Sequence, residues 1–365
     1  MKQRLSHSQV NKYSECGKAY ELHYKKKWRV KEQSAALLFG TAIDKACENY
    51  LHNKDSVEAH EVFIKFWGEQ ELNGKSTKLH NCTEIIYSNN DLDLELLNES
   101  DYDTIIKTHS IKDVLATIDD ILQRKDKVGF KKLSENDKQI LNLVNWLSMR
   151  KKGRLMLSAA IKWIDGNVVE TLGTQVKVDL ENEEGDGILG FADLVARVKG
   201  HDKPIVLDFK TSARAYEENA VLTSPQLALY VFSLKHKYEN TNLAGFVVFQ
   251  KNIRKNKEKT CSVCGHDGSG GRHKKCDNTI KGERCNGEWN EKINPEAIVQ
   301  VLINEVDEFF QIQVVENYNE INKGIKAEVY PRNWKSCVQY NGTVTCPYYS
   351  YCHQNKINDI IIPEE

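Results

Sequence analysis

The sequence predicts an α/β fold, a small mixed sheet flanked by helices. Three observations predict it. GILGFADLVARV and PIVLDFKTS are rich in aliphatic and β-branched residues and read as two strands, and LAGFVVFQK reads as another. Between the last two, SPQLALYVF has the spacing of a helix. Upstream, long charged stretches carry apolar residues at three- and four-residue steps, as amphipathic helices do.

The two central strands also carry chemistry. Asp208 and Lys210 are two apart and so share a face of their strand, and Asp193 lies in the strand before it. Gln226 and Tyr230, four apart, stack on one side of the following helix. Two carboxylates can hold a magnesium ion, and an ammonium can orient water or offset developing charge, a set suited to phosphodiester hydrolysis. Ile205, Val206, Leu207 and Phe209 make the strand apolar on both faces. A lysine and an aspartate buried there need a partner or a function.

G-F-A-D, D-F-K-T-S and Q-x-x-x-Y together resemble the RecB-like branch of the PD-(D/E)XK nuclease superfamily. The resemblance implies a restriction-endonuclease-like core. It makes Asp193 and Asp208 metal ligands, Lys210 the catalytic lysine, and Gln226 with Tyr230 the pair that supports the site and contacts DNA. The backbone carbonyl of Phe209 would be a further ligand. Ala192 stands where the superfamily name implies proline.

The elements follow in order. Ser6 to Lys26 reads as one helix with Ser6 or Ser8 as N-cap. Its Cys16 ends an S-x-S-x-x-x-x-Y-x-x-C pattern, which resembles the N-terminal cluster segment of iron-sulfur RecB-like nucleases. LLFGTAIDKACENYL reads as a second helix, closing residues 1–54. Relatives show G-T-x-x-H here with a metal-binding histidine; this chain has Asp44, an oxygen donor suited to magnesium or manganese, with Glu48 one turn on. Residues 55–165 read as a large helical insertion that would wall a DNA channel, with Arg150, Lys151, Lys152 and Arg154 as candidate contacts.

The nuclease core spans 166–254. VVETLGTQVKVDL opens it, and Glu170 is either a fourth carboxylate or an edge-strand surface charge. Residues 255–290 form a zinc-ribbon-like loop. Cys261, Cys264, Cys276 and Cys285 have the form C-x2-C-x11-C-x8-C in a glycine-rich, basic setting with almost nothing to build a core, so a tetrahedral zinc would supply its stability. His266 or His273 could substitute for one cysteine, and Lys251 heads a basic run that could touch nucleic acid. Residues 291–365 begin with a long helix opened by Pro295. They end in Cys337, Cys346 and Cys352. C-P-Y-Y-S-Y-C matches the C-x5-C of the iron-sulfur nucleases, whereas eight residues precede it where relatives have two. Cys16 with these three would hold a 4Fe-4S cluster, or a zinc ion.

Bulk properties set the frame. The chain has 365 residues, no apolar run long enough to span a membrane and no secretory leader, so it is expected to be cytoplasmic. Its formal net charge is −1, so basic residues act only locally, in clusters that could follow a phosphate backbone. Ten cysteines in such a compartment point to metal rather than disulfides.

The resemblance to RecB-like nucleases implies a magnesium- or manganese-dependent DNA nuclease, most directly an exonuclease on single strands or DNA ends in recombination, repair or replication. It would work beside a helicase or recombinase. A structure-specific endonuclease and a non-cleaving nucleic-acid-binding subunit are the alternatives.

Overall fold

The computed structural model describes residues 3–68, 84–88, 91–97, 111–182, 185–268, 274–280, 282–338 and 344–363. Its frame is a mixed sheet of β1 (Arg4–Leu5), β2 (Val168–Glu181), β3 (Gly187–Val198), β4 (Ile205–Ser212), β5 (Leu243–Cys261) and β6 (Trp289–Glu305). The order is β2-β3-β4-β5-β6, with β1 beside the start of β3. Only β1 with β3 and β4 with β5 run parallel.

Helices cover both faces, as expected. On one side lie α2 (Ala35–Asn53) and the 33-residue α3 (Glu135–Asn167), whose apolar residues pack on Leu194, Leu207, Phe209 and Val247. The other side holds α1 (His7–Glu15), α4 (Pro225–Leu234) and α5 (Glu308–Lys326), packed on Val195, Val206, Phe246 and Val248. α4 carries the parallel crossover from β4 to β5. Ser224 caps it, accepting from Leu227 N, and Pro225 occupies its first turn, where no N–H is needed. The described parts of the 55–165 segment are largely helical, with Ser56–Gly68 and Ile111–Val128 besides most of α3. No described helix is long and apolar enough to cross a membrane.

Two expectations are corrected. Ser6 does cap the first helix, in a capping box with Gln9, but the helix breaks at Cys16 (φ −166°, ψ 111°) and resumes as Gly17–Tyr20. Packing is the reason: a Cβ on Gly17 would lie 2.7 Å from Pro331 Cδ, and Lys18 N donates to Pro331 O. The C-terminal chain displaces a helical turn to reach Cys16.

The segment after Pro295 is not a helix but β6, antiparallel to β5 from Glu305↔Leu243 to Trp289↔Cys261. Ile298, Val299, Val301 and Ile303 are β-branched and suit a pleated surface. The strand is an edge, where a proline without an N–H is tolerated; the helix begins only after Asp307, which caps α5. Because β4 ends opposite Gln250, β5 and β6 run on beyond the sheet as a two-stranded ribbon tipped by the zinc-type cysteines.

Candidate active site

The site lies where the sheet comes apart. β3 and β4 pair only at Ala196↔Ile205, Val195↔Val206 and Leu194↔Leu207. The next step would set Asp193 opposite Asp208, and there the strands diverge. Side-chain direction in β3 also changes at that point. Ala192 belongs to the core on the α4 side, whereas Leu194 and Ala196 belong to the core on the α2 side. Asp193 therefore projects along the sheet rather than from a face, and its Oδ2 accepts the Phe209 N–H at 2.7 Å in place of a ladder bond. A strand residue turns its N–H and C=O to the same edge, so the Phe209 carbonyl looks into the same gap.

Gln175, across β2, holds Asp193 from the other side. Thr174 pairs with Leu194 and Val176 with Ala192; between them Gln175 takes a left-handed φ of 45°, and its Nε2 donates to Asp193 Oδ1 at 3.1 Å. Such a conformation costs a non-glycine residue about 1–3 kcal/mol. Sequence reading missed Gln175, because nothing in TLGTQVKV distinguishes it from an ordinary strand residue.

Asp208 and Lys210 face α4, as their spacing predicts. Lys210 Nζ lies 2.5 Å from Asp208 Oδ2 and donates to Gln226 Oε1 at 3.1 Å. The Gln226 amide turns its nitrogen the other way, to Asp208 Oδ1 at 3.1 Å and Tyr230 OH at 2.8 Å. The four side chains form one partly buried network. A Cβ on Gly190 would come within 3.3 Å of the Tyr230 ring, so the glycine of G-F-A-D leaves room for Tyr230.

Asp44 joins them from the opposite side. Helix α2 crosses the sheet: a Cβ on Gly40 would stand 3.2 Å from Thr211 Oγ1 of β4, and His52 pairs with Thr174 of β2 at 2.9 Å. Asp44 lies between those anchors, over the gap. Burial, then Asp193, then Asp208 push its carboxyl well above the ordinary range. Asp193 itself is raised to about 7, by burial first and Asp208 second, and Asp208 is raised by burial. Burial alone would discharge Lys210, but Asp208 and Asp193 outweigh it and its pKa rises. Tyr230 is pushed up to about 12 by burial and the Asp208 charge and stays a phenol. Crowded carboxylates with a carbonyl oxygen are a hard donor set, and a divalent cation would relieve their mutual repulsion. These residues fit magnesium or manganese.

His7 is a second residue missed by sequence reading. Its ring bonds Tyr318 OH and Asn11, and burial followed by the Lys210 charge lowers it to about 4, so a neutral imidazole borders the network.

Several candidates lie elsewhere. Glu170 pairs with Arg197 and Glu48 with Lys45, both at the surface. Lys152 is buried beneath Asp91 and Asp93, and Lys251 is buried beside Asp91 and over the Phe39 ring, so neither is placed to meet a phosphate backbone. Acidic residues of a segment within the insertion have claimed them. Arg150 is half-buried over Trp146 and Lys151 is half-buried; Arg154 is exposed.

Both cysteine groups assemble. The Sγ atoms of Cys261, Cys264, Cys276 and Cys285 lie within 4.8 Å of one another, with Cys261–Cys285 and Cys264–Cys276 each 3.6 Å apart. A tetrahedral zinc with Zn–S of 2.3 Å requires about 3.8 Å. The backbone N–H groups of Cys264 and Val263 point at Cys261 Sγ, and they draw its thiol down to about 6. Four cysteines fill the set, so His266 is not needed; His273 lies outside the described residues.

Cys16, Cys337, Cys346 and Cys352 line one pocket with Ala19 and Tyr348. The two ends of the longer spacing meet: Val338 bridges Val344, and Cys346 N donates to Cys337 O. Among the described residues the ribbon thiols alone form a set as tight as 4.8 Å.

A sequence model of the PD-(D/E)XK nuclease superfamily matches residues 4–353, nearly the whole chain. A search among curated proteins finds no match.

Proposed function

The chain belongs to the PD-(D/E)XK nuclease superfamily, and we propose that it is a magnesium- or manganese-dependent deoxyribonuclease of the RecB-like type, an exonuclease on single strands or DNA ends. The observation that carries this reading is the convergence of Asp44, Asp193, Asp208 and the Lys210–Gln226–Tyr230 network where the sheet parts.

In this reading Asp44, Asp193, Asp208 and the Phe209 carbonyl hold the metal, which when bound polarises the scissile phosphate. Lys210, fixed between Asp208 and Gln226, orients the attacking water and offsets charge developing on phosphate oxygens. Gln226 keeps Lys210 and Asp208 in register, and Tyr230 anchors Gln226.

The ribbon cysteines hold zinc, in keeping with their 3.6 Å spacings. The wider Cys16 set suits a larger body, a 4Fe-4S cluster whose part is to tie the first helices to the C-terminal chain. Recombination or repair beside a helicase or recombinase is the setting that accords with such an enzyme.

End-labelled single-stranded DNA with magnesium or manganese tests the reading, comparing wild type with Asp208→Ala purified without oxygen. Degradation by wild type alone, with DNA binding retained in the variant, is the expected result. Intact linear, circular and duplex DNA with either metal would overturn it and leave a DNA-binding scaffold.

A further inference from the structure

β3 is an interior strand, flanked by β2 on one edge and by β1 and β4 on the other. Of its twelve residues one is exposed, and that one is an aromatic: Phe191, 49% exposed. Its neighbours Gly190 and Ala192 face the α4 side, so the ring stands on the α2 side. Directly across the ladder, Lys177 is exposed as well, so the sheet is open there. Among the described residues the ring stacks on no other aromatic and carries no cation.

At Phe191 only β2 pairs with β3, because β1 reaches no further than Ile188 and β4 joins only from Leu194, so the ring stands at the rim of the gap that holds Asp193. That position suggests a use. Phe191 is two residues from Asp193, about 6.8 Å along a strand, which is the scale of a single nucleotide.

We propose that Phe191 is the platform on which a base of the strand being cut stacks, so that the site accepts an unpaired nucleotide and disfavours intact duplex. The inference rests on the nuclease reading and narrows its substrate. A side chain reaches the face of a base only when that base is unstacked; in a duplex, neighbouring pairs cover both faces. A protruding ring beside the metal ligands therefore selects single strands, frayed ends or flaps by shape, without reading sequence.

The test compares wild type, Phe191→Ala and Phe191→Trp on a single-stranded oligonucleotide and on the same strand carrying an abasic residue at the scissile position. Stacking implies that Phe191→Ala loses about ten- to a hundredfold in kcat/KM on the natural strand. It should lose almost nothing on the abasic strand, and Phe191→Trp should restore the loss. Because the ring is exposed, Phe191→Ala should also keep the wild-type Tm. Equal losses on both strands, no loss on either, or a clear fall in Tm would overturn the proposal.

A second measurement needs no cleavage. 2-Aminopurine in a single strand bound to the Asp208→Asn chain should be quenched, and adding Phe191→Ala should lift the quench. Quenching in this chain, with a wild type that cuts no DNA, would sink the nuclease reading and leave the platform standing. Binding without quenching would sink the platform.

Discussion

Replacing Asp193 with asparagine tests whether burial sets the charge state of the site. Burial and the Asp208 charge raise the Asp193 carboxyl to about 7 in the folded protein, against about 3.9 in an unfolded chain. Between those values the folded state holds a proton that the unfolded state has released. Stability contributed by this group is therefore complete at acid pH and falls as pH rises from about 4 to 7. At 1.36 kcal/mol per unit the loss totals about 4 kcal/mol, with none further above pH 7. Asp186 and Glu308, whose ion pairs lower their pKa values, act in the opposite sense and lose stability as pH falls. Asp193→Asn removes this contribution together with the push that the Asp193 charge exerts on Asp44 and Lys210, and it leaves the Asp186 and Glu308 ion pairs in place, so the difference between the two proteins reports the buried carboxylate group. In urea unfolding with chelator, the variant should gain on wild type by about 4 kcal/mol between about pH 4 and pH 8. Magnesium at the upper pH should stabilise wild type more than the variant, and wild-type nuclease activity should climb with pH up to about 7. A difference that stays flat across the window, with or without magnesium, would refute the account.

Other perturbations follow from the same geometry. Lys210→Met removes the ammonium between Asp208 and Gln226 and should lower kcat by about 10²–10⁴ while DNA binding persists, read by single-turnover cleavage and by anisotropy. Metal analysis should find one zinc per chain, lost in Cys276→Ser, with the ribbon tip becoming protease-sensitive before the core does. Lys251→Ala should act on stability rather than on DNA affinity, costing about 1–3 kcal/mol in thermal unfolding because Asp91 is left buried without its partner. Gly40→Ala pushes a methyl against Thr211 and should reduce cleavage by shifting Asp44, with little change in Tm.

Much of the site was legible because its residues obey local periods. Asp208 and Lys210 meet Gln226 and Tyr230 through a strand period of two and a helix period of four; the ribbon cysteines announced themselves by spacing, and Cys16 with the three C-terminal cysteines only through the family resemblance. What stayed hidden depends on long-range pairing. Pro295 to Val306 has apolar residues at intervals that serve either period, and only β5 as a partner makes it a strand. The break at Cys16 reflects Pro331, more than 300 residues away in sequence. Asp193 could be placed only in the strand before Asp208, whereas the parting of β3 from β4 turns it into the plane of the sheet. Gln175 takes its left-handed φ across the ladder from Asp193, and no local preference forecasts it. Lys152 and Lys251 looked like surface charges because their acidic partners lie in a remote segment.

The pocket of Cys16, Cys337, Cys346 and Cys352 also imposes an order on biogenesis. β1 cannot pair until β3 exists, and Cys16 cannot meet Cys352 until the ribosome has added more than 300 residues. At about 5–20 residues per second, that is some tens of seconds during which the first helices wait without their partners. A chain truncated before Cys337 could still lay down its central strands, but it could not gather these four thiols. Gathering of these four thiols thus requires that translation has run past Cys352.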